Sequence, residues 1–202
     1  MNREEIENKK MRRIFFVGSA RGVNRFYVTN TFMEKFQNAK VINTGVLINN
    51  LCKEMGFESQ DKITIMDYYR FIEPVLITKI LSHLEHTDII LDTHFYWLIP
   101  CISVKGLKKI ADVISKVVLV LVEEDPTEIY QQKKGRGDIW FDVFDNISDD
   151  IFFNRVYFNF YKAFFERNAS ESSLIYDIDK NIIKDIDDFV VNSGELIKKN
   201  GS

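Results

Sequence analysis

Arg12-Arg13-Ile14-Phe15-Phe16-Val17-Gly18-Ser19-Ala20-Arg21-Gly22-Val23-Asn24-Arg25-Phe26 is the stretch on which the fold turns. Ile14 to Val17 is a short, wholly apolar run, which suits a strand buried on both faces. Gly18 to Arg25 is a glycine-bearing turn. The residues after it, Phe26, Val28, Phe32, Met33 and Phe36, recur at helical spacing. A buried strand, a turn and a helix whose first N–H groups lack partners form a cradle for an anion. The phosphate-binding pattern G-x-x-x-x-G-K-[ST] asks for Gly, Lys and a hydroxyl at the helix start. Counted from Gly18, the chain has Val23, Asn24 and Arg25 there; counted from Ser19, it has Asn24, Arg25 and Phe26. Neither register keeps the motif intact.

Outward from the cradle the chain alternates. Lys40 to Asn43 reads as a second buried strand, and Thr44-Gly45 turns into a helix with Val46, Leu47 and Leu51 on one face, ending near Gly56. A polar loop, Glu58 to Lys62, leads to a long helix from about Met66 to Glu85. Its apolar positions are Phe71, Val75, Ile77, Ile80, Leu81 and Leu84, and Pro74 predicts a kink or a late start. Asp88 to Asp92 is a third strand, Lys105 to Ile114 a short helix, and Val117 to Val122 the strongest strand. Asp125-Pro126 starts a helix. Residues 133 to 150 lose periodicity and read as a lid-like loop. Asp149 opens an aromatic helix to about Arg167, Leu174 to Tyr176 is a fifth strand, and Ile182 to Lys199 a closing helix. Strands alternating with helices indicate a three-layer α/β/α fold with a five-stranded parallel sheet, whose ligands sit at the carboxyl ends of the strands. No linker divides the chain, so residues 1–202 read as a single domain.

Composition narrows the function classes. A net charge of −3 and 46% hydrophobic residues suit a compact domain and speak against nucleic-acid or membrane-surface binding. No run approaches the roughly 20 apolar residues of a membrane span. The charged Met1 to Lys10 is not a signal peptide, and Asn200-Gly201-Ser202 reads as a frayed end. Cys52 and Cys101, far apart and without ligand spacing, read as buried thiols of a cytoplasmic protein.

Three features gather at the strand ends. These are the cradle, Asp92 after four apolar residues, and the basic loop with Lys133, Lys134 and Arg136. An acidic side chain at such a strand end can hold Mg²⁺ directly or through water. His83 and His86 lack a third ligand and read as a solvated face. Tyr96 and Trp97 suit a core or hinge role. Tyr157, Phe158, Phe160, Tyr161, Phe164 and Phe165 surround one helix, leaving apolar surface that could serve a homo-oligomer or the nucleotide.

In this order the elements resemble the archaeal type of adenylate kinase, a P-loop nucleoside monophosphate kinase. Ser19 to Phe26 lies over that family's cradle without a gap. Asn43-Thr44-Gly45 follows Val41-Ile42, Asp92-Thr93-His94 reproduces its D-T-H, and Phe153-Asn154-Arg155 is similar to the helix after its lid. The similarity runs from about Arg12 to Ile175. It implies transfer of a phosphoryl group from ATP, with Mg²⁺, to a nucleoside monophosphate, normally AMP. It implies a cradle of Gly18, Ser19, Ala20, Arg21, Gly22, Val23, Asn24, Arg25 and Phe26, with Arg25 at the site of the usual Lys. It makes Asp92 the metal residue, Arg136 the lid arginine and Arg155 a second arginine reaching the phosphates. Asn43, Gly45, Thr93 and His94 would face the acceptor.

Four positions depart from the pattern. Asn24 replaces a cradle glycine, Phe26 the metal-contacting hydroxyl, Thr64 an acceptor-gripping arginine, and Gln131-Gln132 an arginine pair before the lid. The expected function is therefore a divergent nucleotide phosphotransferase. The alternative is a catalytically impaired kinase fold that binds nucleotide or another protein.

Overall fold

The computed structural model describes residues 13–20, 22–23, 25–58, 62–97, 99–114, 116–129, 147–168 and 174–179. Strand β1 (Arg13–Ser19) leads through the cradle into helix α1 (Phe26–Lys35); β2 (Lys40–Asn43) runs directly into α2 (Thr44–Glu54). A short α3 (Ile65–Asp67) continues through a π turn, Tyr68–Ile72, into α4 (Glu73–Leu84), and β3 (Ile89–Thr93) follows. Next come a small hairpin, β4 (Tyr96–Trp97) and β5 (Ile99–Pro100), α5 (Val104–Ala111) and β6 (Lys116–Glu123). Helix α6 (Ile147–Asn168) and β7 (Leu174–Asp179) complete the described chain.

Five strands form one parallel sheet in the order β2-β3-β1-β6-β7. Alternate residues of each inner strand enter opposite cores, as the two-residue period of a strand requires. Ile14, Phe16, Ile89, Leu91, Val117, Leu119 and Leu121 face α2, α4, α5 and α6. Phe15, Val17, Ile90, Val118, Val120 and Val122 face α1 and Ile129. Both faces are covered, which is why these strands read as unbroken apolar runs.

Aromatic rings fill the larger core. Tyr161 stands edge-on to Phe16 at 5.9 Å and to Phe95 at 5.4 Å, and Phe158 meets Phe95 at 5.3 Å. Each fully buried ring stabilises the fold by about 2 kcal/mol through the area it removes from water. Only one side of α6 is used. Phe158, Tyr161 and Phe165 are buried, while Phe152, Phe153, Val156 and Phe160 stay exposed.

The long helix corrects the sequence reading. Pro74 has no N–H, and its ring would crowd the carbonyl of Arg70. The chain answers with the π turn, in which the Glu73 N–H reaches back to the Tyr68 carbonyl, and α4 begins with Pro74 in its first turn. The wider turn shifts the buried stripe. Tyr68, Ile72 and Leu76 enter the core, whereas Phe71, expected inside, is exposed with the Arg70 guanidinium 5.1 Å from its ring centre. The hairpin β4–β5 was not anticipated.

Residues 147–150, expected in the lid-like loop, belong to α6. The remainder of that loop from 133 to 146, and the closing helix expected over 182–199, lie outside the described residues. No helix among the described residues is long and apolar enough to cross a membrane.

Candidate functional site

Parallel register sets the site. Asn43 at the end of β2 is the lateral partner of Asp92 in β3, and Val17 of β1 stands on Asp92's other side. Gly18 sits between Thr93 and Leu121. The carboxyl ends of three adjacent strands and the start of α1 therefore meet at one edge.

The cradle is anchored from below. Ala20 and Val23 are buried in the core on the α1 side. Gly22 has φ of +89°, a backbone shape that strongly favours glycine, so it makes the turn. Gly18 has a different task. A Cβ there would lie 2.4 Å from the Phe95 ring, so its missing side chain admits the ring beneath the site. Arg21 and Asn24 lie outside the described residues. Phe26 is 70% exposed and opens α1 with its ring toward solvent.

Arg25 is the centre of the site. Its Nε donates to Asp92 Oδ1 at 2.6 Å, and its Nη1 to Ser19 Oγ at 2.7 Å. The second oxygen of Asp92 accepts from Asn43 Nδ2 at 2.7 Å. Each oxygen of the carboxylate thus already holds a donor. Asn43 is also the cap of α2, its Oδ1 accepting the Val46 N–H at 2.9 Å. Gly45, inside that first turn, is not demanded by packing, since a Cβ would only touch Asn43 Oδ1 at 3.4 Å.

His94 Nδ1 lies 2.6 Å from the Ser19 carbonyl. A carbonyl only accepts, so Nδ1 carries the proton and Nε2 is the ring nitrogen able to accept. The 3.3 Å approach of Arg25 Nη1 to that Nδ1 is then a contact between two donors. Thr93 is buried and receives the Thr44 hydroxyl at 2.9 Å, which ties β3 to the start of α2. Behind it Cys101 is buried as an uncombined thiol, and burial pushes its pKa up to about 12.

Other sequence-selected residues fall elsewhere. Arg155 is exposed on α6. Arg136 lies outside the described residues. Thr64 caps α3, its hydroxyl accepting the Asp67 N–H at 3.1 Å, and so has a structural task where the resembled family has an arginine.

Asn154, quoted above only as part of a tripeptide, turns out to be a clasp. It is buried on α6, accepts from the Tyr96 N–H at 3.1 Å, and donates to the Tyr96 carbonyl at 3.2 Å and the Asp150 carbonyl at 2.9 Å. It thereby holds the segment after Asp92-Thr93-His94 against α6. An Asn set at helical spacing from Phe158, Tyr161 and Phe165 is the sequence signal that could have marked it. A small cavity lined by Ala20, Val23, Glu124, Ile151 and Asn154 lies between cradle and helix.

The residues fit a phosphate. Helix α1 has no side-chain cap and no acidic residue in its first turn, and a guanidinium stands at its start. They fit a divalent cation on one condition. Among the described residues no cluster of three or more His, Cys, Asp or Glu side chains could hold a metal ion, so Asp92 would share it with phosphate oxygens and water rather than with a protein cage. Arg25 must leave its Oδ1 first.

No family model matches the sequence, and no curated protein matches it. Solved structures do. The fold is similar to "Shikimate kinase from Acinetobacter baumannii in complex with shikimate", with a TM-score of 0.52 at 12% identity over 98% of each chain. A structure of the PezAT chromosomal toxin–antitoxin system of Streptococcus pneumoniae aligns with TM-score 0.49 and 17% identity, over 90% of this chain and 80% of that one. Dephospho-CoA kinase from Campylobacter jejuni aligns with TM-score 0.38 and 11% identity, over 93% and 97%. The chain therefore shares the overall α/β fold of that shikimate kinase. At these identities the likeness is one of fold and carries no narrower family.

Proposed function

We propose that the chain is a divergent adenylate-kinase-like phosphotransferase that moves a phosphoryl group from ATP to a nucleoside monophosphate. The carrying observation is the Arg25 guanidinium, set at the uncapped start of α1 between the Ser19 hydroxyl and the Asp92 carboxylate. Backbone N–H groups at that helix start would hold the donor phosphates, and Arg25 would supply the charge that Lys supplies in related cradles. Mg²⁺, when bound, would neutralise phosphate oxygens, with Asp92 as its protein partner. Asn43, Gly45, Thr93 and His94 mark the acceptor side, with His94 Nε2 as an acceptor for a substrate hydroxyl or amine. Arg136, in the lid-like loop expected before α6, and Arg155 would close over the transferred group within one domain.

The competing reading is a kinase fold that binds nucleotide without turnover. It is favoured by Phe26, which brings no hydroxyl to the cation, and by the two donors already on Asp92.

Calorimetric titration of ATP with Mg²⁺, on the natural chain and on Arg25→Ala, tests the reading. Binding should weaken at least about tenfold in the variant, the loss of one charge-assisted bond. No heat at about 1 mM ATP would sink both nucleotide readings. Where ATP binds, turnover in a panel of nucleoside monophosphates distinguishes enzyme from binding module.

A further inference from the structure

We infer that Asn43 is a positioning residue: it keeps the Asp92 carboxylate in place while Arg25 exchanges that carboxylate for a phosphate, so that phosphate enters the cradle before a divalent cation does. This rests on the phosphate-binding reading above and adds an order of events to it. Arg25 and Asn43 hold Asp92 from opposite sides, through different oxygens, at 2.6 and 2.7 Å. The two holds differ in kind. Arg25 stands at the start of α1, where an oxyanion drawn to the helix's first N–H groups would compete with Asp92 for the same guanidinium. Asn43 cannot turn away, because both ends of its amide are in use: Nδ2 on Asp92, Oδ1 on the Val46 N–H. Flipping the amide would place a donor against a donor and an acceptor against a carboxylate.

While Arg25 holds Oδ1, a cation approaching that oxygen meets a like charge, and the carboxylate is already neutralised. A phosphate that draws Arg25 away uncovers a carboxylate still fixed by Asn43 in the β2–β3 register. Cation and phosphate then assist each other, and by linkage each tightens the other by the same factor.

The probes are inorganic tripolyphosphate and Mn²⁺, read by calorimetry on the full chain, with thermal melting as a check of folding. In the natural protein tripolyphosphate should bind without metal, Mn²⁺ alone should give no heat, and Mn²⁺ should tighten tripolyphosphate about tenfold. Asn43→Ser keeps a good helix cap and removes the donor to Asp92. It should melt like the natural chain and keep the metal-free tripolyphosphate affinity, yet lose the tightening by Mn²⁺. Heat from Mn²⁺ alone, or full tightening in Asn43→Ser, overturns the inference and leaves the phosphate reading standing. Failure of tripolyphosphate to bind in any condition overturns both.

Discussion

Two arginine–aspartate pairs stand at opposite ends of the β1–β3 seam, Arg13 of β1 with Asp88 just before β3 and Arg25 at the start of α1 with Asp92 of β3, and they are built differently. At the amino end Arg13 gives Asp88 three bonds: its own backbone N–H at 2.8 Å, Nε at 2.7 Å and Nη2 at 2.5 Å. Its guanidinium also lies 4.7 Å from the centre of the Phe36 ring. At the carboxyl end Arg25 gives Asp92 one bond, spends another nitrogen on Ser19, and stands at an uncapped helix start. The first pair is clamped by backbone and ring. The second is held by side chains alone, at a helix start without a side-chain cap, where the helix dipole favours an anion. The same two residue types thus make a strut at one edge and an exchangeable contact at the other.

The largest effect should come from the strut. Asp88→Ala leaves a part-buried guanidinium and a backbone N–H without their acceptor, and should cost about 3 kcal/mol in urea unfolding. Asp92→Ala should cost about half as much, since Arg25 loses a single bond and keeps its bond to Ser19, and Asn43 keeps its cap bond to the Val46 N–H. Equal losses at the two sites would erase the distinction between them. Added tripolyphosphate should raise the melting temperature of the natural chain and of Asp88→Ala alike, and should do much less for Arg25→Ala.

The alkaline response separates both pairs from the core behind the site. Cys101 is raised from 9.0 to about 12, and Tyr68 and Tyr161 well above 10.0, each chiefly by burial. The unfolded chain releases these protons first, so stability is whole below pH 9 and falls as pH rises toward 12. The slope is about 1.4 kcal/mol per pH unit for each such group. In Cys101→Ala the decline should begin a unit later, at the tyrosines. An unchanged onset in chemical denaturation would mean that some other group titrates first.

The smallest effect tests the cradle itself. Phe26→Ser removes an exposed ring and should change stability by less than about 0.5 kcal/mol. It restores a hydroxyl at the helix start, and Mg-ATP affinity should rise about threefold in calorimetry. No change would show that the exchangeable pair works without a hydroxyl partner.

Much of this was legible in the chain. The strands emerged within two or three residues at their starts, because a parallel strand buried on both faces leaves a short unbroken apolar run. Asp92 was singled out because it ends an apolar strand on the carboxyl side, whereas Arg25, Asn43 and His94 came from the resemblance to the adenylate kinase cradle, V-N-x-G and D-T-H. The π turn was not legible: Pro74 announces a disturbance, but several backbone responses satisfy it, and the choice fell to the packing of Tyr68 and Ile72. Nor were the hairpin and the Asn154 clasp, which depend on α6 lying across Tyr96, 58 residues away.

The sequence by itself determined the succession of strands and helices along the chain, the two-sided core and the sheet edge that carries the cradle. Those follow from local period, turn residues and apolar runs. Only the tertiary structure decided that Asp92 is shared between Arg25 and Asn43, that Gly18 serves Phe95, and that Val23 anchors the cradle. Each is a contact between residues brought together by sheet register, and register is settled by the whole core at once.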